Sequence, residues 1–131
     1  MAITGECFCG NIKYKIDGKL KDAHSCHCSR CRKAFSSQAS AYALVEPHEF
    51  SWLQGAELLT SFESLPEFGF QFCSQCGSTL CGTHNGMPHG VTLGCVNGDP
   101  DVEIGYHLFV GSKATWEILP TGVTCFDEGP Q

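Results

Sequence analysis

The stretch FGFQFCSQCGSTLCG (residues 68–82) decides the fold. Its first part, FGFQFC (68–73), is short and aromatic, as a strand is. CSQCG (73–77) then places Cys73 and Cys76 three apart on a tight turn, where two thiolates can hold one tetrahedral metal ion. Gly77 can take a positive φ and lets backbone N–H groups approach the sulfurs, offsetting thiolate charge. GSTLCG (77–82) reads as a turn and another strand. A redox Cys-x-x-Cys pair normally opens a helix after a strand. The strand that follows here favours a metal knuckle between two strands.

One such pair supplies only two ligands. CFCG at Cys7–Gly10 supplies the other two, because residues i and i+2 of an extended chain point to one face. A Cys-x-Cys disulfide would be a small strained ring, so this spacing also speaks against oxidation. Cys7, Cys9, Cys73 and Cys76 together give a closed four-thiolate site. Zn²⁺ suits it, and with every position filled by protein the site is structural. It ties the start of the chain to a hairpin far later in the sequence.

A third cluster, CHCSRC, brings Cys26, Cys28 and Cys31 within six residues. Three protein ligands and an open fourth position mark a reactive zinc site. The alternative is that His24, His27, Cys81 or a distant histidine closes it. Three thiolates donate much charge, so zinc here activates water poorly but accepts an external thiol and holds it as thiolate. Arg30, Arg32 and Lys33 stand beside the cluster. They either balance it and draw in the carboxylates of a small acidic thiol, or form a solvated helix face.

Outward from these clusters the chain reads as mainly β, in one domain spanning residues 1–131. NIKYKI (11–16) alternates apolar and polar residues. AYALVE (41–46), EFSWL (49–53), LLTSF (58–62), VTLGCV (91–96) and GYHLFV (105–110) are rich in β-branched and aromatic residues. Turn signals separate them, Asn85-Gly86 and Asn97-Gly98 among them. One helix is expected over residues 29–37, with Ser29 as its N-cap. Residues 82–100 read as loop-rich, and the tail from 120 to 131 as irregular. Trp52, Trp116 and the phenylalanines are core candidates. Cys81, Cys95 and Cys125 are isolated thiols. His107 is a core or pocket histidine, and His84 and His89 lie in the Gly-rich loop at the surface or a pocket mouth. Glu57, Glu63 and Glu67 form no recognisable acid pair.

Composition narrows the partners. At 131 residues the chain is long enough for one core without staples. A net charge of -6 argues against nucleic acid and acidic membranes. No apolar run approaches the ~20 residues of a membrane span, and MAITGECFCGN has no signal-peptide core. The chain therefore reads as cytoplasmic, where its ten cysteines stay reduced and the clustered ones serve metals rather than disulfides.

GECFCGNIKY (5–14), CHCSRCRK (26–33), FCSQCGSTL (72–80) and HLFVGSKATW (107–116), in that order, resemble the glutathione-dependent formaldehyde-activating enzyme family, to which centromere protein V is related. The resemblance runs from about residue 5 to 116. It implies an Mss4-like (β-tent) arrangement of small antiparallel sheets around a structural zinc. It also implies a first zinc on Cys7, Cys9, Cys73 and Cys76 and a second on Cys26, Cys28 and Cys31. The implied activity is that of a carbon–sulfur lyase joining glutathione to formaldehyde as S-hydroxymethylglutathione, the thiol meeting the second zinc. The competing reading is a non-catalytic zinc module that binds a partner protein and uses only the four-thiolate site.

Overall fold

The computed structural model describes residues 2–129. Two sheets and one short helix make up the fold. In the smaller sheet, β1 (Ile3–Glu6), β2 (Lys13–Ile16) and β5 (Phe50–Gln54) lie antiparallel in the order β1-β2-β5. The larger sheet has seven strands: β3 (Lys21–Cys26), β4 (Tyr42–Leu44), β6 (Leu59–Leu65), β7 (Phe68–Cys73), β8 (Thr79–His84), β9 (Met87–Thr92) and β10 (Tyr106–Leu108). Their order is β10-β3-β4-β9-β8-β7-β6. All neighbours are antiparallel except β10, which runs parallel to β3. The helix α1 covers Ser29–Phe35. No helix is long and apolar enough to cross a membrane.

One core joins the two sheets. The alternation in β2 buries Tyr14 and Ile16 and leaves Lys13 and Lys15 at the rim. Ala23, Ala43, Leu80, Cys81 and Val91 from the larger sheet complete the cluster, with Ile12, Leu20, Val45, Cys7 and Cys73. Each fully buried Ile, Leu or Val contributes about 1.5–3 kcal/mol. Phe50 stacks on Tyr14 at 5.0 Å and Trp52 meets it edge-on at 6.0 Å, so β5 seals the smaller sheet. Trp116 and Phe8, expected in the core, are instead exposed at 68% and 91%.

Residues 82–100 are more regular than their composition suggests. Asn85 (φ 52) and Gly86 (φ 78) form a two-residue turn of left-handed backbone, pairing His84 with Met87. Asn-Gly is the sequence that such a hairpin favours. The expected strand over 91–96 is accordingly displaced toward the N-terminus. It occupies β9 and ends at Thr92, where the 3₁₀ turn Leu93–Cys95 begins. The expected helix forms, but its N-cap is Cys28 rather than Ser29: the Cys28 sulfur accepts the Cys31 N–H. The helix closes at Ser36, a left-handed cap at φ 53. Residues 120–129 hold no helix or strand beyond an isolated bridge between His107 and Cys125.

Candidate metal centres

Two knuckles of similar build face each other across the sheets. Cys7 and Cys9 lie in the connection between β1 and β2, which is closed by Cys7 N–H to Ile12 O and Gly10 N–H to Cys7 O at 3.1 and 3.0 Å. Cys73 ends β7 and Cys76 stands in the turn to β8, closed by Gly77 N–H to Cys73 O at 2.9 Å. Gly10 (φ 80) and Gly77 (φ 83) each follow the second cysteine, where a left-handed residue turns the chain back. The knuckles are stitched by Phe8 N–H to Ser78 Oγ at 2.8 Å and Asn11 Nδ2 to Gln75 Oε1 at 2.9 Å.

The four sulfurs converge within 4.8 Å of one another. Cys7 and Cys9 are 3.5 Å apart at Sγ, and Cys9 and Cys73 are 3.8 Å apart. A tetrahedron with Zn–S bonds of about 2.3 Å spaces its sulfurs by about 3.8 Å, so the donor set fits that ion without rearrangement. All ten cysteines are free thiols. Backbone N–H groups of Ile12 and Gln75 point at Cys7 and Cys73 sulfur, both at 3.4 Å. Burial opposes ionisation of Cys76, but the Ser78 hydroxyl and backbone outweigh it and bring its pKa down to about 6. At Cys9 the Asn11 backbone pulls downward, yet burial and the neighbouring thiols push it to about 11. Thiols pulled apart in this way share negative charge that a cation neutralises.

The second centre is built from one strand end and one helix start. Cys26 closes β3, Cys28 caps α1 and Cys31 sits in its first turn, with the three sulfurs mutually within 4.8 Å. Ser40 clamps the strand end, giving its N–H to Cys26 O and taking the Cys26 N–H on Oγ, both at 3.0 Å. Cys31 is the largest influence on Cys26, lowering its pKa to about 6 against the cost of burial. Cys31 is pushed up, first by Cys26 and then by burial. No fourth Cys, His, Asp or Glu of the described residues joins this group.

The proposed closing ligands are engaged elsewhere. His27 is fully buried, and its Nε2 pairs with His107 Nδ1 at 2.9 Å. Its Nδ1 lies 3.1 Å from Glu117 Oε1, within ion-pair reach, with no hydrogen bond between them. Cys81 is buried against Gln71 at 3.4 Å, and burial pushes its thiol up to about 12. His24 stacks on Tyr106 at 5.3 Å.

Two cavities flank this centre. One, about 410 Å³, is lined by Arg30, Cys31 and Lys33 with Phe35, Phe62 and Phe70. The other, about 260 Å³, has Cys26, Cys31 and Phe35 on one side and Tyr42, Phe70 and His89 on another. The strand register builds the second cavity. His24 pairs with Tyr42 across β3 and β4, Gly90 with Gly82 across β9 and β8, and Gly82 with Phe70 on β7. The Tyr42 ring lies over the Gly82–Gly90 pair, where a Cβ on either glycine would overlap it. Burial pushes the Tyr42 phenol up, and its hydroxyl has no hydrogen-bond partner in the protein.

The structure thus brings together both sets of cysteines that spacing had grouped. Arg30 and Lys33 line a cavity beside Cys31, while Arg32 carries a buried, unpartnered Nε. His89 lines a cavity, whereas His84 is exposed and stacks on Phe68 at 4.6 Å. Tyr42 and Glu117 were not singled out by sequence. Tyr42 looked like an ordinary strand residue, and only its opposition to two glycines gives it away.

A family model described as glutathione-dependent formaldehyde-activating enzyme matches residues 2–112. No curated protein matches the chain. Among solved structures, the crystal structure of a Rhodobacter sphaeroides protein, a structural genomics target, is similar at a TM-score of 0.58 and 25% identity. The alignment covers 77% of this chain and 96% of that one.

Proposed function

Because this chain belongs to the glutathione-dependent formaldehyde-activating enzyme family, we propose that it is a zinc-dependent carbon–sulfur lyase. It joins a thiol such as glutathione to an aldehyde such as formaldehyde, and cleaves the same adduct. The observation that carries this reading is the convergence of only three thiols, Cys26, Cys28 and Cys31, beside two cavities. Zinc bound to those thiols supplies a soft cation that keeps an incoming sulfur deprotonated at neutral pH.

The chain's own groups do the rest. Arg30 and Lys33, along the wall shared with Cys31, offer positive charge to the carboxylates of an acidic thiol. That places the sulfur end of such a thiol toward Cys31. The thiol loses its proton to solvent, and its sulfur pair forms the bond to the carbonyl carbon. The displaced π pair goes to oxygen, which takes up a proton. Cys7, Cys9, Cys73 and Cys76 hold a second, structural zinc that closes the fold.

The test is exchange between glutathione and its formaldehyde adduct, followed by NMR with zinc-loaded protein. Exchange faster than the spontaneous rate supports the lyase. Exchange at the spontaneous rate, with one zinc bound per chain instead of two, favours a non-catalytic module built on the four-cysteine centre.

A further inference from the structure

The two cavities beside Cys31 differ in chemistry. Cys31, Phe35 and Phe70 belong to both. The larger carries the cations Arg30 and Lys33. The smaller holds no Lys, Arg, Asp or Glu; it is walled by rings and aliphatic groups, Phe35, Tyr42, Phe70 and Leu108 among them. Two histidines stand at its wall: His24, stacked on Tyr106, and His89, whose pKa is lowered by burial. Ser40 already serves the Cys26 backbone. The Tyr42 hydroxyl is buried against the Gly82–Gly90 pair, so Tyr42 presents its ring rather than its oxygen to this compartment.

Size separates this compartment from the smallest substrate. Formaldehyde has two heavy atoms and needs about the room of one or two waters, each about 30 Å³ in the liquid. The compartment measures about 260 Å³. A lone formaldehyde leaves most of that apolar wall uncovered, and uncovered apolar wall gives no binding energy.

Resting on the lyase reading above, we propose that the aldehyde is one with an apolar or aromatic side chain. That side chain occupies the Phe35–Tyr42–Phe70 compartment while the thiol's carboxylates lie along Arg30 and Lys33. The chemistry is unchanged: the thiol S–H is lost, a C–S bond forms, the C=O π pair moves to oxygen, and oxygen ends protonated. The product is a hemithioacetal, and no oxidant is consumed. An aldehyde bearing a carboxylate finds no cation in this compartment, whose walls hold no Lys or Arg.

The experiment compares aldehydes and non-reactive adduct mimics on the zinc-loaded full chain. Glutathione is mixed in turn with formaldehyde, 3-methylbutanal and phenylacetaldehyde, and adduct exchange is measured by NMR above the spontaneous rate. Enzymic exchange with the two larger aldehydes exceeds that with formaldehyde by about tenfold or more, the discrimination that one or two buried methylenes supply. S-benzylglutathione also binds more tightly than S-methylglutathione and shifts the ring resonances of Tyr42 and Phe70. Exchange with formaldehyde alone, or equal binding of the two thioethers, overturns this inference and leaves the lyase standing. No acceleration with any aldehyde sinks both.

Discussion

Cys28 carries two duties in one side chain. Its sulfur is one of the three convergent thiols, and it also accepts the Cys31 N–H at the start of α1. Serine keeps the cap, since its hydroxyl is among the best N-cap acceptors, but it removes the soft donor. With both proteins zinc-free, Cys28→Ser is therefore expected to melt within a degree or two of wild type, and on zinc loading it loses zinc at this centre and adduct exchange. Cys28→Ala loses the cap as well, at about 1 kcal/mol. Zinc analysis beside a thermal melt of both variants separates the duties. A second residue-level effect sits at His89, whose pKa is lowered by burial and then by His84. A base with a depressed folded pKa is protonated more readily in the unfolded chain. The stability that neutral His89 preserves is present above the ordinary histidine value of about 6.5, and it is lost as pH falls toward the folded value. The difference in denaturation midpoint between wild type and His89→Gln should grow in the variant's favour as pH falls below that point. A pH-independent difference would mean that His89 does not titrate in this range. Spacing made the cysteines readable, because one or two residues between ligands fix their geometry locally. Nothing local marks Cys28 as a cap or His89 as buried, since both depend on what folds against them.

At the level of elements, the β8–β9 hairpin shows why part of the site escaped a sequence reading. Gly82 and Gly90 pair across it and weaken the apolar pattern that would have marked the strands. They are glycines because the Tyr42 ring from β4 occupies the space where their side chains would stand. A strand residue and two glycines on different strands thus explain one another, and only the register reveals it. The contacts differ between the two glycines. At Gly82 an added Cβ overlaps the Tyr42 hydroxyl and meets Cζ at 3.0 Å. At Gly90 it overlaps the ring carbons Cε2 and Cζ as well. Gly82→Ala and Gly90→Ala should each cost about 1–3 kcal/mol, the usual range for overpacking. In a Tyr42→Phe background the cost at Gly82 should shrink by half or more, because the overlapping oxygen is gone, while the cost at Gly90 persists. Urea unfolding of the single and double variants gives both coupling energies. Equal coupling at the two glycines would contradict the placement of the ring.

Across the whole molecule, the chain beyond the matched family region returns to the second centre. The family model ends at residue 112, yet Glu117 reaches back to His27, between Cys26 and Cys28. The approach is held by backbone bonds. Lys113 Nζ donates to the carbonyls of Ala114 and Glu117 at 3.2 and 2.7 Å. Residues 124–128 lie along β10, with Phe126 N–H to His107 O and His107 N–H to Thr124 O, both at 2.9 Å. The tail read from composition as irregular is irregular, but it is tied to the sheet by ladder-like bonds that no side-chain pattern announces. Its consequence is a chain of contacts from Glu117 through His27 to His107, which sets the orientation of a fully buried ring beside the thiols. Removing Glu117 takes away the carboxylate oxygen that lies 3.1 Å from the buried His27 Nδ1, at a cost of about 1–3 kcal/mol. Glutamine keeps an acceptor oxygen at the same reach, so Glu117→Gln should lose less than half of what Glu117→Ala loses. If the contact also orients the Cys26–Cys28 segment, the two variants should rank the same way in zinc affinity at the second centre. Zinc at Cys7, Cys9, Cys73 and Cys76 should be untouched, because neither residue contacts that site. Denaturant midpoints and competitive chelator titration of the two variants measure both effects. Equal loss in Glu117→Gln and Glu117→Ala would mean that the carboxylate's charge, rather than an oxygen at that reach, holds the ring. A glutamine variant indistinguishable from wild type in both readouts would assign the whole effect to that oxygen.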